Sequence, residues 1–332
     1  MAETANIAKM AEYISKEIFE VFLWEQTGPK NQNWDCEDQT NHKKKTHPAD
    51  VVFTYREPYS IERTYIHCDL KSYNSTTITK NTIHNAVESL SQQITCANKS
   101  EEWRKLFAYD NTPYSITGLL FIYNHDNNYD KEFNTNLYSL NHEKIVLPKG
   151  SKIVVLGPDD INWLHNVAHN IIEMRGRNHL PAERYCKFFY PQLIRKSNIQ
   201  LNEAKAATLE MLTSPFILLE YNTNIEGDEP KTPNKNFVIF YRGKGENINE
   251  FYYIINYIRT CQLLNDAENI TIKLLEPYKN APSLFTQAIN IFCEKIDEYG
   301  TNSSLSKKIK SIKYDSINTV QKKFSTTEIG MD

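Results

Sequence analysis

Asp50, Asp69 and Lys71 are the residues of this 332-residue chain whose types and spacing best suit chemistry. They lie in HPADVVFTYREPYSIERTYIHCDLKSYN, residues 47–74, where two apolar runs each carry an aspartate in place of a neutral residue. Side chains alternate along a strand. Tyr65, His67, Asp69 and Lys71 therefore share one face of the second run, and Ile66, Cys68 and Leu70 the other. If Asp50 lies on the neighbouring antiparallel strand, its carboxylate converges on Asp69 and Lys71. Two close carboxylates resist ionising together, and a divalent cation relieves that repulsion. Mg²⁺ (or Mn²⁺) takes carboxylate and carbonyl oxygens and keeps waters for a substrate, with the Leu70 carbonyl as a further ligand. A lysine beside such an ion orients water and offsets charge building on a phosphate. The set suits phosphodiester hydrolysis.

Positioning these residues needs a hairpin held by helices. Residues 5–23 carry an apolar stripe at helical spacing, Ile7, Met10, Ala11, Ile14, Ile18, Val21 and Phe22. Glu17 flanks this stripe, where it would complete a metal site from the sheet's edge. Residues 27–49 are polar and read as a loop. Strands are expected over 50–56 and 63–71, and a helix over 81–97. The continuous apolar runs at 115–123 and 151–157 fit strands buried on both faces. A further helix starts near residue 158. This order gives an α/β domain with a mixed central sheet over residues 1–178. Residues 179–332 read as a second α/β unit: a helix at 200–213, strands PFILLEY, NFVIFY and NITIKLL, two amphipathic helices, and a basic tail from residue 304. No internal repeat is visible.

A helix carrying Glu, a strand opening with Asp, a strand ending in Asp-x-Lys, and then a helix resembles the PD-(D/E)xK nuclease superfamily, the restriction-endonuclease-like fold. The matching residues are HPAD, with one alanine between Pro48 and Asp50, and DLK at Asp69–Lys71. The resemblance covers roughly residues 5–178. The segment from KKKTHPAD to DLKSY is also similar to nuclease subunits of bacterial anti-phage defence systems, some of which work with a second subunit. It implies a metal-dependent deoxyribonuclease in which Asp50 and Asp69 hold the ion, Leu70 and Glu17 assist, and Lys71 positions the water. DNA is then the substrate, and a second protein subunit or another copy of the chain is the expected partner. The competing readings are a non-catalytic DNA-binding or assembly subunit and a ribonuclease of the same chemistry. EAK at Glu203 and EPK at Glu229 satisfy the triplet but lack the strand context.

Net charge is −3, so no basic field covers the whole molecule, and a polyanion must use a local patch. Lys43, Lys44 and Lys45, just before Asp50, are one candidate for backbone contact. Arg175 and Arg177 open another, RGRNHLPAERYCKFFYPQLIRK, where arginines would hold phosphates beside stacking aromatics, or where a basic helix–loop carries core aromatics. Arg242 and Lys244 lie in a glycine turn before a helix, a place for a phosphate or an ordinary loop. Lys307, Lys308, Lys310 and Lys313 in the tail suit nucleic acid, a partner or solvent. Gln93 flanks the helix over 81–97 and reads as solvated, although a glutamine on this helix approaches the site in related nucleases. His165 and His169 fall off their helix's apolar stripe, lack the HExxH glutamate, and read as exposed; His125 and Asp126 read as a polar loop. The six cysteines form no CxxC, which argues against a zinc knuckle. The N-terminus reads as a helix rather than a signal peptide and no apolar run spans a bilayer, so no membrane partner is expected and the cytoplasm is the simplest location.

Overall fold

The computed structural model describes residues 2–108, 112–141, 143, 145–191, 204–223, 225–226, 229–230, 235–298 and 303–320. The chain divides into two compact units, 1–165 and 166–320, with the division inside a helix that begins at Pro158. No helix among the described residues is long and apolar enough to cross a membrane.

The first unit runs α1 (Ala2–Val21), β1 (Glu25–Thr27), β2 (Gln32–Asp35), α2 (Gln39–His42), β3 (Thr46–Ala49), β4 (Val51–Arg56), β5 (Arg63–Tyr73), α3 (Lys80–Ala97), α4 (Glu101–Phe107), β6 (Tyr114–Asn124), α5 (Phe133–Tyr138) and β7 (Lys152–Leu156), followed by α6 (Pro158–Gly176). Its sheet has the order β1-β4-β5-β6-β7. β4 pairs antiparallel with β1 and β5, while β5–β6 and β6–β7 are parallel. This is the expected mixed α/β core.

Strand parity assigns the faces. Phe53 and Phe121 meet Phe19 of α1, with ring centroids 5.2 and 6.0 Å apart. Val52, Leu120 and Ile122 pack with Ile83, Leu90 and Ile94 of α3. α1 and α3 thus cover opposite faces. α3 starts at a capping box between Thr79 and Thr82. It comes so close to β6 that a Cβ on Gly118 would sit 3.0 Å from Ile94 Cγ1.

Residues 27–49, expected as a loop, contain the β2–β3 hairpin and α2. The hydrophobic signal is sparse there because few residues are buried, but Trp34, Cys36, His47 and Ala49 are among them. Helix α4, also unexpected, is capped by Ser100 and buries Trp103 and Phe107.

The second unit contains β8 (Cys186–Phe188), α7 (Leu209–Thr213), β9 (Phe216–Asn222), a short β10–β11 pair (Ile225–Glu226 and Glu229–Pro230), β12 (Lys235–Tyr241), α8 (Ile248–Thr260), α9 (Leu263–Asp266), β13 (Ala267–Leu275), α10 (Ala281–Glu298), α11 (Ser303–Lys310) and β14 (Lys313–Ile317). Its sheet order is β14-β13-β12-β9-β8. The helix expected over 200–213 narrows to α7 within the described residues; Glu203 lies outside them, and EPK begins in β11 rather than a long strand. The basic tail is helical only to Lys310. Lys313–Ile317 then pairs parallel with β13 as an edge strand.

Candidate active site

β4 and β5 position the acidic pair. Val51 pairs with Cys68, so one step further Asp50 comes opposite Asp69. Opposite residues of an antiparallel pair share a face, and here it is the α3 face. The two carboxyls lie within hydrogen-bonding reach of each other. Asp50 Oδ2 accepts from the Leu70 backbone N–H at 2.7 Å. Lys71 Nζ donates to Asp69 Oδ1 at 2.5 Å. Asp50, Asp69 and Lys71 are therefore brought together as the spacing predicts.

Burial pushes the Asp50 carboxyl up to about 6; the Leu70 N–H pulls it back, and the Asp69 charge adds to the rise. Burial alone would lower the Lys71 ammonium, but the Asp69 carboxylate outweighs it and holds the group above its ordinary value. One lysine thus faces two carboxyls in a half-dry site. The donor set, two carboxylates beside a backbone segment, has the hard oxygen character that suits a divalent cation.

Behind the acids, His67 is fully buried on the same face of β5. Trp103 Nε1–H donates to His67 Nδ1 at 3.2 Å, and His67 Nε2 lies 2.9 Å from Gln93 Oε1. An indole N–H only donates, so Nδ1 is the acceptor and Nε2 carries the proton to Gln93. Gln93 is 2 % exposed. The solvated reading of this glutamine is corrected: it sits inside, bonded to the residue two places before Asp69. Its place beside the apolar stripe, and the resemblance to nucleases with a glutamine on this helix, were the sequence signals.

Glu17 takes a different position. Its helix covers the opposite sheet face, and Glu17 Oε2 lies 3.6 Å from His165 Nε2. His165 is buried rather than exposed. Asp126 accepts from the Ser75 and Asn128 backbone and from Asn124, which makes 124–128 a braced turn. Lys44 Nζ donates to Ser89 Oγ at 3.0 Å, and Lys43 closes α2 in a left-handed conformation.

In the second unit, Arg175 lies 3.6 Å from Glu183 and Arg177 2.6 Å from Glu173. Phe188 is buried, and Tyr190 Oη bridges Ala206 O and the Thr208 N–H. The aromatics of that stretch serve packing. At the glycine turn, the N–H groups of Gly245, Glu246 and Asn247 all donate to the Glu250 carboxylate. That helix start is occupied by its own side chain, the ordinary-loop reading.

A mixed sheet flanked by helices, with an aspartate pair and a lysine at the end of its antiparallel strands, is consistent with a PD-(D/E)xK fold. Residues 1–160 match the family model described as the GAPS4 protein PD-(D/E)XK nuclease domain. No curated protein and no solved structure matches the chain.

Proposed function

We propose that the chain is a metal-dependent deoxyribonuclease acting in bacterial anti-phage defence. The observation that carries the reading is the convergence of Asp50 and Asp69, with Lys71 donating a hydrogen bond to Asp69. Asp50 and Asp69 are assigned as ligands of Mg²⁺ (or Mn²⁺), with the Leu70 carbonyl as a third. The ion would supply Lewis-acid polarisation of the phosphate. Lys71 aligns the attacking water and stabilises negative charge on the phosphoryl oxygens. Glu17, whose carboxylate lies beside His165 on the sheet's other face, is assigned at most an assisting role. Lys43, Lys44 and Lys45 are assigned to the nucleic-acid backbone, with Arg175 and Arg177 as weaker contributors because carboxylates already hold them.

The defence role is supported by the matched family, since GAPS4 is an anti-phage defence system component. Such a role places the protein in the cytoplasm, working with a second subunit or another copy of itself. Purified chain incubated with plasmid, linear DNA and RNA, with Mg²⁺ or with EDTA, tests the assignment. DNA cleavage that EDTA stops is expected. Cleavage of RNA alone would transfer the same chemistry to a ribonuclease, and binding without cleavage would make the chain a DNA-binding subunit.

A further inference from the structure

The hairpin and helix of residues 32–49 fold against the end of α3 and assemble a second cluster. Cys36, His42, His47 and Cys96 each bring one ligand atom within 4.8 Å of the others. The Cys36 and Cys96 sulfurs are 3.8 Å apart. His42 Nδ1 lies 3.3 Å from Cys36 Sγ and 3.4 Å from Cys96 Sγ. A tetrahedral zinc ion, with Zn–S about 2.3 Å and Zn–N about 2.0–2.1 Å, sets its sulfurs roughly 3.8 Å apart and each sulfur roughly 3.6 Å from a nitrogen. A disulfide would bring the sulfurs to about 2.05 Å.

His47 is the independent observation. Its ring is fully buried, 5.2 Å from the Trp34 ring and 5.5 Å from the His42 ring, and neither of its nitrogens has a hydrogen-bond partner. A buried imidazole in that state lacks the partner that buried polar groups require. The backbone N–H groups of Glu37 and Asp38 also point at the Cys96 sulfur. Such outer contacts steady a thiolate ligand.

We propose that Cys36, His42, His47 and Cys96 hold a structural zinc ion. Two thiolates and two imidazoles are a closed, four-ligand set of the soft type that zinc occupies and magnesium does not. Loading takes one proton from each thiol, and both protons go to solvent. The spacing is Cys-x5-His-x4-His with the fourth ligand on α3. The ion therefore ties β2, α2 and β3 to the last turn of α3. His47 is three residues before Asp50, and Cys96 is three residues after Gln93. The same ion fixes the chain entering the carboxylate pair and the helix carrying Gln93. It also fixes the loop that presents Lys43, Lys44 and Lys45, which lies between two ligands.

The test is metal content of the full chain, measured by mass spectrometry of the elements in the wild type and in Asp69→Ala, so that the carboxylate site does not enter. One zinc per chain is expected in both. Replacement of zinc by cobalt in the wild-type chain should give the visible bands of a tetrahedral centre with thiolate charge transfer. Titration of the thiols with a mercurial should release the zinc. In Cys36→Ser/His47→Ala the zinc should fall to near none. Because the first three measurements use chains with all four ligands, misfolding of the double variant does not protect the proposal. A wild-type chain without zinc, an octahedral cobalt spectrum, a Cys36–Cys96 disulfide in a non-reducing digest, or zinc retained in full by the double variant would each overturn it.

Discussion

The two units of this chain share a sheet plan and differ at one place. In the first, two antiparallel pairings (β1–β4–β5) are followed by two parallel ones (β5–β6–β7). In the second, β8–β9–β12 are antiparallel and β12–β13–β14 parallel. A helical crossover follows the third strand in each: α3 with α4, and α8 with α9. The repeat is one of topology, invisible in residue identities. On the face covered by the crossover helix, the first unit sets Asp50 opposite Asp69. The second sets Phe216 opposite Tyr241, their rings stacked 5.2 Å apart and buried against α8. Two residues beyond Asp69 stands Lys71; two beyond Tyr241 stands Gly243, where a Cβ would meet the Tyr241 ring at 2.4 Å. The plan folds with a greasy stack at that position. The charged trio of the first unit is therefore not a requirement of the sheet plan, which fits the catalytic role proposed for it.

The comparison breaks most readily at Asp69. Asp69→Ala should bring cleavage below detection, whereas Tyr241→Phe should leave it unchanged and only loosen the bond to Glu250; cleavage surviving the first and lost with the second would move the active site to the other unit. Next comes Lys71→Ala. It should lower the single-turnover rate on the order of 100-fold while DNA affinity measured in Ca²⁺ stays close to wild type. An equal loss of both would make Lys71 a phosphate anchor.

Asp50→Asn sharpens the stability side. The Asp50 carboxyl is raised from 3.8 to about 6 by burial, opposed by the Leu70 N–H and reinforced by Asp69. A raised acid binds its proton more tightly when folded, so the wild type loses stability as pH rises from about 4 to about 6. The metal-free variant should exceed it by about 1–2 kcal/mol at pH 8 and by nothing at pH 4, as read from urea unfolding at both pH values. At subsaturating Mg²⁺, wild-type cleavage should fall as pH drops below about 6, because the proton competes with the cation for Asp50. A profile that stays flat from pH 5 to 8 at subsaturating Mg²⁺ would exclude Asp50 as a ligand. The smallest effect concerns the nucleic-acid backbone. Replacing Lys43, Lys44 and Lys45 with Gln should reduce the slope of log affinity against log salt by about 0.9 for each phosphate no longer neutralised, and by more than Arg175→Ala/Arg177→Ala, since those arginines already face carboxylates. An equal change from both sets would erase the distinction between the units.

The convergence of Asp50, Asp69 and Lys71 was legible because its signal is local. Asp50 and the DLK triplet sit within a span of 22 residues, and period-two alternation fixes their common face. The stripes of α1 and α3 were legible for the same reason, although Phe19 is buried beside its stripe. Beyond the β2–β3 hairpin, α2 and α4, three things escaped. The Cys36–Cys96 approach closes over sixty residues, so no spacing rule for adjacent cysteines reaches it. β14 is an edge strand with only Ile317 buried, so its alternation is faint. Gln93 and His165 are polar groups whose burial is decided by a tertiary partner rather than by the helix that carries them.

The chain of bonds from Trp103 through His67 to Gln93 has a direction. Each member hands a hydrogen to the next, and an indole cannot reverse the gift. The Gln93 carbonyl is thereby turned toward His67, and what remains of its amide is a pair of hydrogens. Gln93 can therefore greet an oxygen and can only repel a cation. Replacing Trp103 with a residue that accepts rather than donates would let the imidazole switch tautomer and the amide rotate half a turn. A residue in α4, which carries none of the charged trio, thus sets the polarity of the wall behind Asp69.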